Sequence, residues 1–114
     1  MIDEMTLAKM ADMLSIASDT TRLKILVCLL GEDFSPQTGH KCVVDDNLPG
    51  YELNVSGIVE KTGASQSLVS HQLKILKDAG LVDVRRDGRQ MFYSLSDGHV
   101  KELVEVVLEH VCEE

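Results

Sequence analysis

The chain is a short acidic polypeptide of 114 residues, with 11 Lys and Arg against 19 Asp and Glu and a formal net charge of −8. This length fits one domain and excludes most multi-domain enzymes. The content of 44% hydrophobic and 26% charged residues is typical of a soluble globular protein. Taken as a sum, the charge of −8 argues against a nucleic-acid partner.

The sequence shows no sign of export or of membrane insertion. No apolar run reaches the roughly 18 residues that span a bilayer, and the acidic start MIDE does not fit a secretory signal. Three widely spaced cysteines, Cys28, Cys42 and Cys112, form no C-x-x-C pair. We therefore expect a cytoplasmic protein with reduced thiols and no membrane partner.

Two helices and a long loop are predicted for the first half of the chain. Apolar residues recur at helical spacing from Met5 to Ala17, and Asp19 is placed to cap a second helix that runs through Leu30. Residues 31–50 hold both prolines and lack sustained periodicity, which predicts an inserted loop. This loop holds His40 and Cys42; a solvated loop is the main interpretation, a second metal site is the minor one, and its role stays open.

Residues 56–79 predict a helix-turn-helix. A short helix is followed by a turn at Gly63, and Ser65 is placed to cap a second helix that ends at Gly80. Two short helices joined by a Gly-containing turn are the arrangement that many DNA-binding proteins use.

A β-hairpin and a last helix complete the predicted fold. Apolar and polar residues alternate over 81–95, with Asp87-Gly88 as the turn signal of a hairpin, the wing. A final helix is predicted over 97–112. The sequence therefore predicts a single domain spanning residues 1–114 of the winged helix-turn-helix class, mainly α with a β-hairpin wing.

The second helix of the pair has an outer face that suits a DNA groove. Gln and Ser side chains can read base edges, and Lys can reach phosphates. The alternative is a solvated helix face with an incidental basic hairpin. Residues 65–95 carry five cations and three acids, a local charge of +2, whereas the rest of the chain carries −10. The predicted DNA contacts are Ser65, Gln66, Ser67, Ser70, His71, Lys74, Arg85, Arg86, Arg89 and Gln90.

The last helix combines an apolar stripe with a row of metal ligands, Asp97, His99, His110 and Glu113. Imidazole and carboxylate suit Zn²⁺, Co²⁺ or Ni²⁺. His99 and His110 are eleven residues apart, about 16 Å along a helix, which is too far to share one ion. Two antiparallel copies could supply Asp97 and His99 from one chain and the partner's His110 and the partner's Glu113, giving two sites per dimer. The alternative is that these side chains are incidental.

Three segments resemble the ArsR/SmtB family of metal-responsive winged-helix repressors: DTTRLKIL at 19–26, SQSLVSHQLKILKDAGLV at 65–82 and RDGRQMFYSL at 86–95. The resemblance covers nearly the whole chain except residues 31–50. The family's other common site uses thiolates in an E-L-C-V-C segment, and this chain has ELNVS over 52–56. A cadmium or lead thiolate sensor is therefore not expected.

The Asp97-x-His99 and His110-x-x-Glu113 spacing resembles the zinc-sensing subgroup typified by SmtB and CzrA. The resemblance implies a homodimer, with N- and C-terminal helices at its interface, that binds operator double-stranded DNA and releases it when two zinc ions bind per dimer. It also implies that His110 donates to a backbone carbonyl of the reading helix at His71.

Four other functions are alternatives to a zinc-responsive repressor. A nickel- or cobalt-responsive repressor, or a winged-helix regulator with a non-metal signal, would share the fold. A hydrolytic metalloenzyme would need an open coordination position, whereas four protein ligands close the site, so we expect no enzyme. A winged-helix protein-interaction module would bind no operator.

Overall fold

The computed structural model describes residues 1–31 and 51–112. Within these ranges the chain forms five helices and three strands. In chain order they are α1 (Glu4–Ala17), α2 (Thr20–Leu29), β1 (Leu53–Asn54), α3 (Val55–Thr62), α4 (Gln66–Asp78), β2 (Val82–Asp87), β3 (Gln90–Leu95) and α5 (Gly98–Cys112).

Two sequence predictions fall outside the described residues. The predicted loop over residues 31–50, with His40 and Cys42, lies outside them apart from its first residue, and the predicted ligand Glu113 does too.

Each helix begins after a short polar side chain that accepts a hydrogen bond from a backbone N–H in the first turn. Such caps satisfy N–H groups that have no partner inside the helix. The caps explain why the helix starts could be predicted to within a residue. The capping residues are Asp3, Asp19, Asn54, Ser65 and Asp97.

The predicted helix-turn-helix is formed by α3 and α4. Gly63 ends α3 with φ +74°, a left-handed conformation that glycine adopts without the strain of a Cβ. Ile58 of α3 and Leu73 and Leu76 of α4 are fully buried beneath the turn, together with Ile25 of α2. This apolar contact fixes α4 on the domain and leaves its opposite side in solvent.

The predicted hairpin is formed by β2 and β3, joined at Gly88, with Val82 opposite Leu95 and Asp87 opposite Gln90. The structure adds a strand that the sequence did not predict. β1 pairs antiparallel with β3, which gives the strand order β1-β3-β2. The prediction of a mainly α winged helix-turn-helix is confirmed.

α1 and α5 lie at the periphery of this unit. α1 has no buried residue, whereas α5 contributes Val100 and Val104 to the core. Among the described residues, no helix is both long and apolar enough to cross a membrane.

The cysteines depart from the prediction at one position. Cys28 is a buried thiol in α2 and belongs to the core, where it behaves as a small apolar side chain. Cys112, the last residue of α5, is disulfide-bonded. The prediction of three reduced thiols is therefore wrong for Cys112.

Candidate functional site

The outer face of α4 holds short polar and basic side chains, as predicted. The Ser65 hydroxyl accepts a hydrogen bond from the Leu68 backbone N–H at 3.2 Å, so the first predicted DNA contact is also the cap of the helix. The core side of α4 is formed by Val69, Leu73 and Leu76, and the remaining predicted residues lie away from it. The exposed set is Ser65, Gln66, Ser67, Ser70, His71 and Lys74.

The wing extends a second basic surface into solvent. Arg86 lies on β2 just before the hairpin turn, Arg89 is in the turn with Gly88, and both arginines are exposed. The Nε of Arg86 donates to the Gly88 carbonyl oxygen at 3.1 Å, which holds the side chain against the turn. Two guanidinium groups at the tip of a two-stranded ribbon are placed where they could reach phosphates if α4 entered a DNA groove.

Arg85 lies on the same strand in a different environment. Its Nε donates to both carboxylate oxygens of Glu52, at 3.1 and 3.0 Å, and its guanidinium carbon lies 4.9 Å from the centre of the Phe92 ring. The hydrogen bond to Glu52 and then the charge of Glu52 raise the pKa of Arg85 above its ordinary value. Arg85 therefore ties the wing to the segment before α3.

A second contact joins the same two segments. The Asn54 Nδ2 donates to the Gln90 Oε1 at 2.9 Å, while the Asn54 Oδ1 accepts from the Gly57 N–H at 2.8 Å. Asn54 stands at the first cysteine position of the family's E-L-C-V-C thiolate segment. In this chain that position holds a helix cap that also contacts the wing.

Three of the four predicted metal ligands are described, Asp97 and His99 at the start of α5 and His110 in its last turn. At its start, Asp97 Oδ1 accepts from the Val100 N–H at 2.9 Å and lies 4.0 Å from His99 Nδ1. The His99 side chain is 96% exposed. His110 is exposed in the last turn. Within the described residues of one protomer, no three His, Cys, Asp or Glu side chains are grouped so that they could hold a metal ion.

An apolar groove, which we call the α1–α5 groove, lies between α1, α2 and α5. Its volume is about 350 Å³, and Leu14 of α1 and Leu103, Val107 and Val111 of α5 line it. Leu14, Val107 and Val111 are each more than half exposed. Contiguous exposed apolar surface of this kind marks an interaction site.

The fold and the polar face of α4 define a winged helix-turn-helix protein, and the comparisons with known proteins narrow the class. The family model described as "Bacterial regulatory protein, arsR family" matches residues 48–84. The "Transcriptional repressor SmtB homolog" of Synechocystis sp. is 33% identical over 92% of this chain and 65% of its own length. The "Cadmium resistance transcriptional regulatory protein CadC homolog" of Staphylococcus aureus is 38% identical over 82% and 62%.

A helix-turn-helix transcriptional regulator of Methanocaldococcus jannaschii is 33% identical over 87% of this chain and 91% of its own length. Among solved structures, HlyU from Vibrio cholerae is 28% identical with a TM-score of 0.74, covering 96% of this chain and 99% of that one. The solution structure of apo-NmtR is 31% identical with a TM-score of 0.72, covering 100% and 80%.

This chain belongs to the ArsR family of bacterial regulatory proteins. It spans slightly less than two thirds of the length of the SmtB and CadC homologues, at 65% and 62%. These relatives are named as regulators of transcription, in agreement with the prediction that the chain is not an enzyme.

Proposed function

We propose that this chain is a metal-responsive transcriptional repressor that binds operator DNA as a homodimer and is released by zinc at a site between the protomers. The observation that supports the proposal is an exposed hydrogen-bonding face on α4, on the same small fold as Asp97 and His99 at the start of α5 and His110 in its last turn. The names of its relatives, a repressor and a cadmium-resistance regulator, support it.

DNA binding is assigned to α4 and the wing. Gln66 and Ser70 are placed to read base edges in the major groove, and Lys74 is placed to reach a phosphate. Arg86 and Arg89 would contact the flanking backbone. The net charge of −8 does not oppose this, because residues 65–95 carry +2.

A second copy of the chain is the proposed occupant of the α1–α5 groove. At 100° per residue, Leu7 and Met10 lie on the same side of α1 as Leu14, which lines the groove, and they are about half exposed, at 47% and 48%. A helix with a long exposed apolar face and no buried residue gains most from a partner surface of the same kind. A two-fold arrangement also brings the start of one α5 towards the end of the other.

The ligand set fits a borderline divalent cation. Capping of α5 uses only the Oδ1 of Asp97, and the imidazole of His99 is almost fully exposed. Asp97, His99, the partner's His110 and the partner's Glu113 would hold the ion, with nitrogen and oxygen donors that suit Zn²⁺, Co²⁺ or Ni²⁺. A bound ion supplies positive charge and a link between protomers.

Coupling between α5 and α4 is expected at the end of α4. The His71 carbonyl accepts a bond from the N–H four residues later, and its second lone pair can accept another from an imidazole. Leu81, just after α4, is 1% exposed and belongs to the same core cluster as Val100 and Val104 of α5. Its carbonyl accepts from the Ser96 N–H at 3.1 Å, directly before α5. We therefore propose that Leu81 couples α5 to α4, in addition to the hydrogen bond from His110 to the His71 carbonyl that the resemblance implies.

The function is tested with a duplex that the wild-type protein selects from a random-sequence library. The duplex is bound to metal-free protein and titrated in separate series with Zn²⁺, Co²⁺, Ni²⁺ and Cd²⁺. Release by zinc at the lowest free concentration supports the proposal, and release by nickel or cobalt instead would move the chain to that alternative. Release by none of them indicates a non-metal signal, and selection of no duplex would overturn DNA binding itself.

A further inference from the structure

We infer that Arg22, which lies outside both the DNA face and the ligand set, is a positioning residue for operator recognition; the inference rests on the proposed function. The Arg22 Nε donates to the Ile16 carbonyl oxygen at 2.6 Å, and its Nη1 donates to the Gln72 Oε1 at 2.8 Å. One side chain on α2 therefore joins the last turn of α1 to α4.

The two bonds restrain Arg22 strongly. Both are part-buried, and both come from a charged donor, which makes stronger hydrogen bonds than a neutral one. The planar guanidinium has donors at fixed angles, so the carbonyl and the amide must keep one relative position. The Arg22 backbone is itself held, because its N–H donates to the capping carboxylate of Asp19 at 3.1 Å.

The Arg22 side chain contacts α4 on the side opposite its exposed outer face. At 100° per residue, Gln72 lies about 160° around the helix from both Ser70 and Lys74. Leu73 and Leu76 beside it are fully buried and fix the distance of α4 from the core, but apolar contacts are not directional. The Arg22–Gln72 bond is directional, so it sets the rotation of α4 and hence the direction of its reading face.

The other end of the contact lies next to the proposed dimer surface. Ala17 and Ser18, which follow Ile16, line the α1–α5 groove. Arg22 therefore links the element proposed to pair with a second copy to the element proposed to enter DNA. Base contacts depend on the rotation of α4 more than phosphate contacts do, since only the former need an exact edge-to-edge match.

The test compares four variants on two duplexes, the duplex selected by the wild-type protein and a scrambled one of equal length and composition. Gln72→Leu removes the acceptor, Arg22→Gln removes the donors, and Gln72→Glu keeps an acceptor for Arg22. Lys74→Gln is the matched control on the reading face. Affinity is measured across a salt series, and thermal unfolding checks that each variant is folded.

We expect Gln72→Leu and Arg22→Gln to bind the selected duplex about tenfold more weakly, the size expected for loss of a hydrogen bond to a charged group. Their affinity for the scrambled duplex and their salt slope should stay at the wild-type values, and Gln72→Glu should bind within about threefold of wild type. Lys74→Gln should weaken both duplexes and lower the salt slope by about 0.9.

Three results would overturn the inference. The first is wild-type discrimination between the duplexes by folded Gln72→Leu. The second is a salt slope lowered by Arg22→Gln as much as by Lys74→Gln, which would make Arg22 a phosphate contact. The third is a Gln72→Glu variant that does not discriminate between the two duplexes as the wild-type protein does. If the wild-type protein selects no duplex, the proposed function fails first, and this inference fails with it.

Discussion

Arg85 and Arg86 are neighbours on β2 with different surroundings. Arg85 is bonded to both oxygens of Glu52, whereas Arg86 contacts the Gly88 carbonyl at the hairpin turn. Glu52 compensates the positive charge of Arg85, so a phosphate contact of Arg85 would add less net charge neutralisation than one of Arg86, although the Nη groups of Arg85 can still donate. The two residues should therefore differ in their contribution to DNA binding.

We predict that Arg86→Gln weakens operator binding and lowers the slope of log K against log salt by about 0.9, the value for one phosphate contact. Arg85→Gln should leave the slope at its wild-type value. Fluorescence anisotropy across a salt series measures both. Equal loss of slope in the two variants would contradict the distinction.

The Glu52–Arg85 bond shows what the sequence could not predict at this scale. The two residues are 33 positions apart, and Glu52 precedes a strand of only two residues, too short to produce a periodic pattern. The same holds for Arg22 and Gln72, which are 50 positions apart. Side-chain bonds between distant segments follow from the packing of elements, which local patterns do not specify.

At the scale of the element, Asp97 combines two roles that can be separated. Its Oδ1 caps α5, and its carboxylate charge belongs to the proposed metal site. Asp97→Asn keeps an oxygen for the cap, since Asn is as good a capping residue as Asp. Asp97→Ala removes both the cap and the ligand.

We predict that Asp97→Ala lowers the free energy of unfolding by about 1 kcal/mol, whereas Asp97→Asn changes it by only a few tenths. Both should weaken zinc binding, as measured by competition with a chelating dye. Wild-type zinc affinity in Asp97→Asn would remove Asp97 from the ligand set.

The turn between α3 and α4 gives an independent test of the fold. Gly63 has φ +74° with no atom near the position of an added Cβ, so the penalty of a side chain there is backbone strain alone. Gly63→Ala should cost about 1–2 kcal/mol. Gly98, at the start of α5 with open space and no positive φ, is the control, and Gly98→Ala should not destabilise. Denaturant unfolding measures the free energy of unfolding of both variants. Equal values for Gly63→Ala and Gly98→Ala would contradict the strain argument.

The elements themselves were largely predictable from the sequence. Asp19 and Ser65 cap helices whose apolar spacing is regular, and Asp87-Gly88 forms the hairpin turn as expected. These signals depend only on residues close together in the sequence, so they can be recognised without knowledge of the tertiary structure. β1 was missed for the opposite reason, since its pairing with β3 is non-local.

For the whole molecule, the central structural claim is that the α1–α5 groove pairs with a second copy. Val107 is 51% exposed in this groove. Glu102 is also exposed and lies about 140° around α5 from it. Val107→Lys and Glu102→Gln make the same change in charge on opposite sides of the helix.

We predict that Val107→Lys raises the dimer dissociation constant about tenfold or more, because a charge would be buried in an apolar interface. Glu102→Gln should associate as the wild-type protein does. Sedimentation equilibrium measures both constants. A Val107→Lys protein with wild-type association would mean that this groove is not the interface.

The sequence predicts the metal site as two incomplete halves, and this stays a prediction. Helix arithmetic separates His99 from His110 by about 16 Å, and this was enough to predict that one chain cannot complete the metal site. The geometry of a complete site depends on how two chains pack, which is beyond any pattern within one sequence.

Operator affinity with and without zinc tests the proposed metal response most directly. By linkage, an allosteric metal must change the affinity for DNA, typically by about 5–150-fold. We predict that zinc weakens binding of the selected duplex by at least about tenfold in the wild-type protein. His110→Ala should bind with the metal-free wild-type affinity whether or not zinc is present. Equal wild-type affinities with and without zinc would contradict the account.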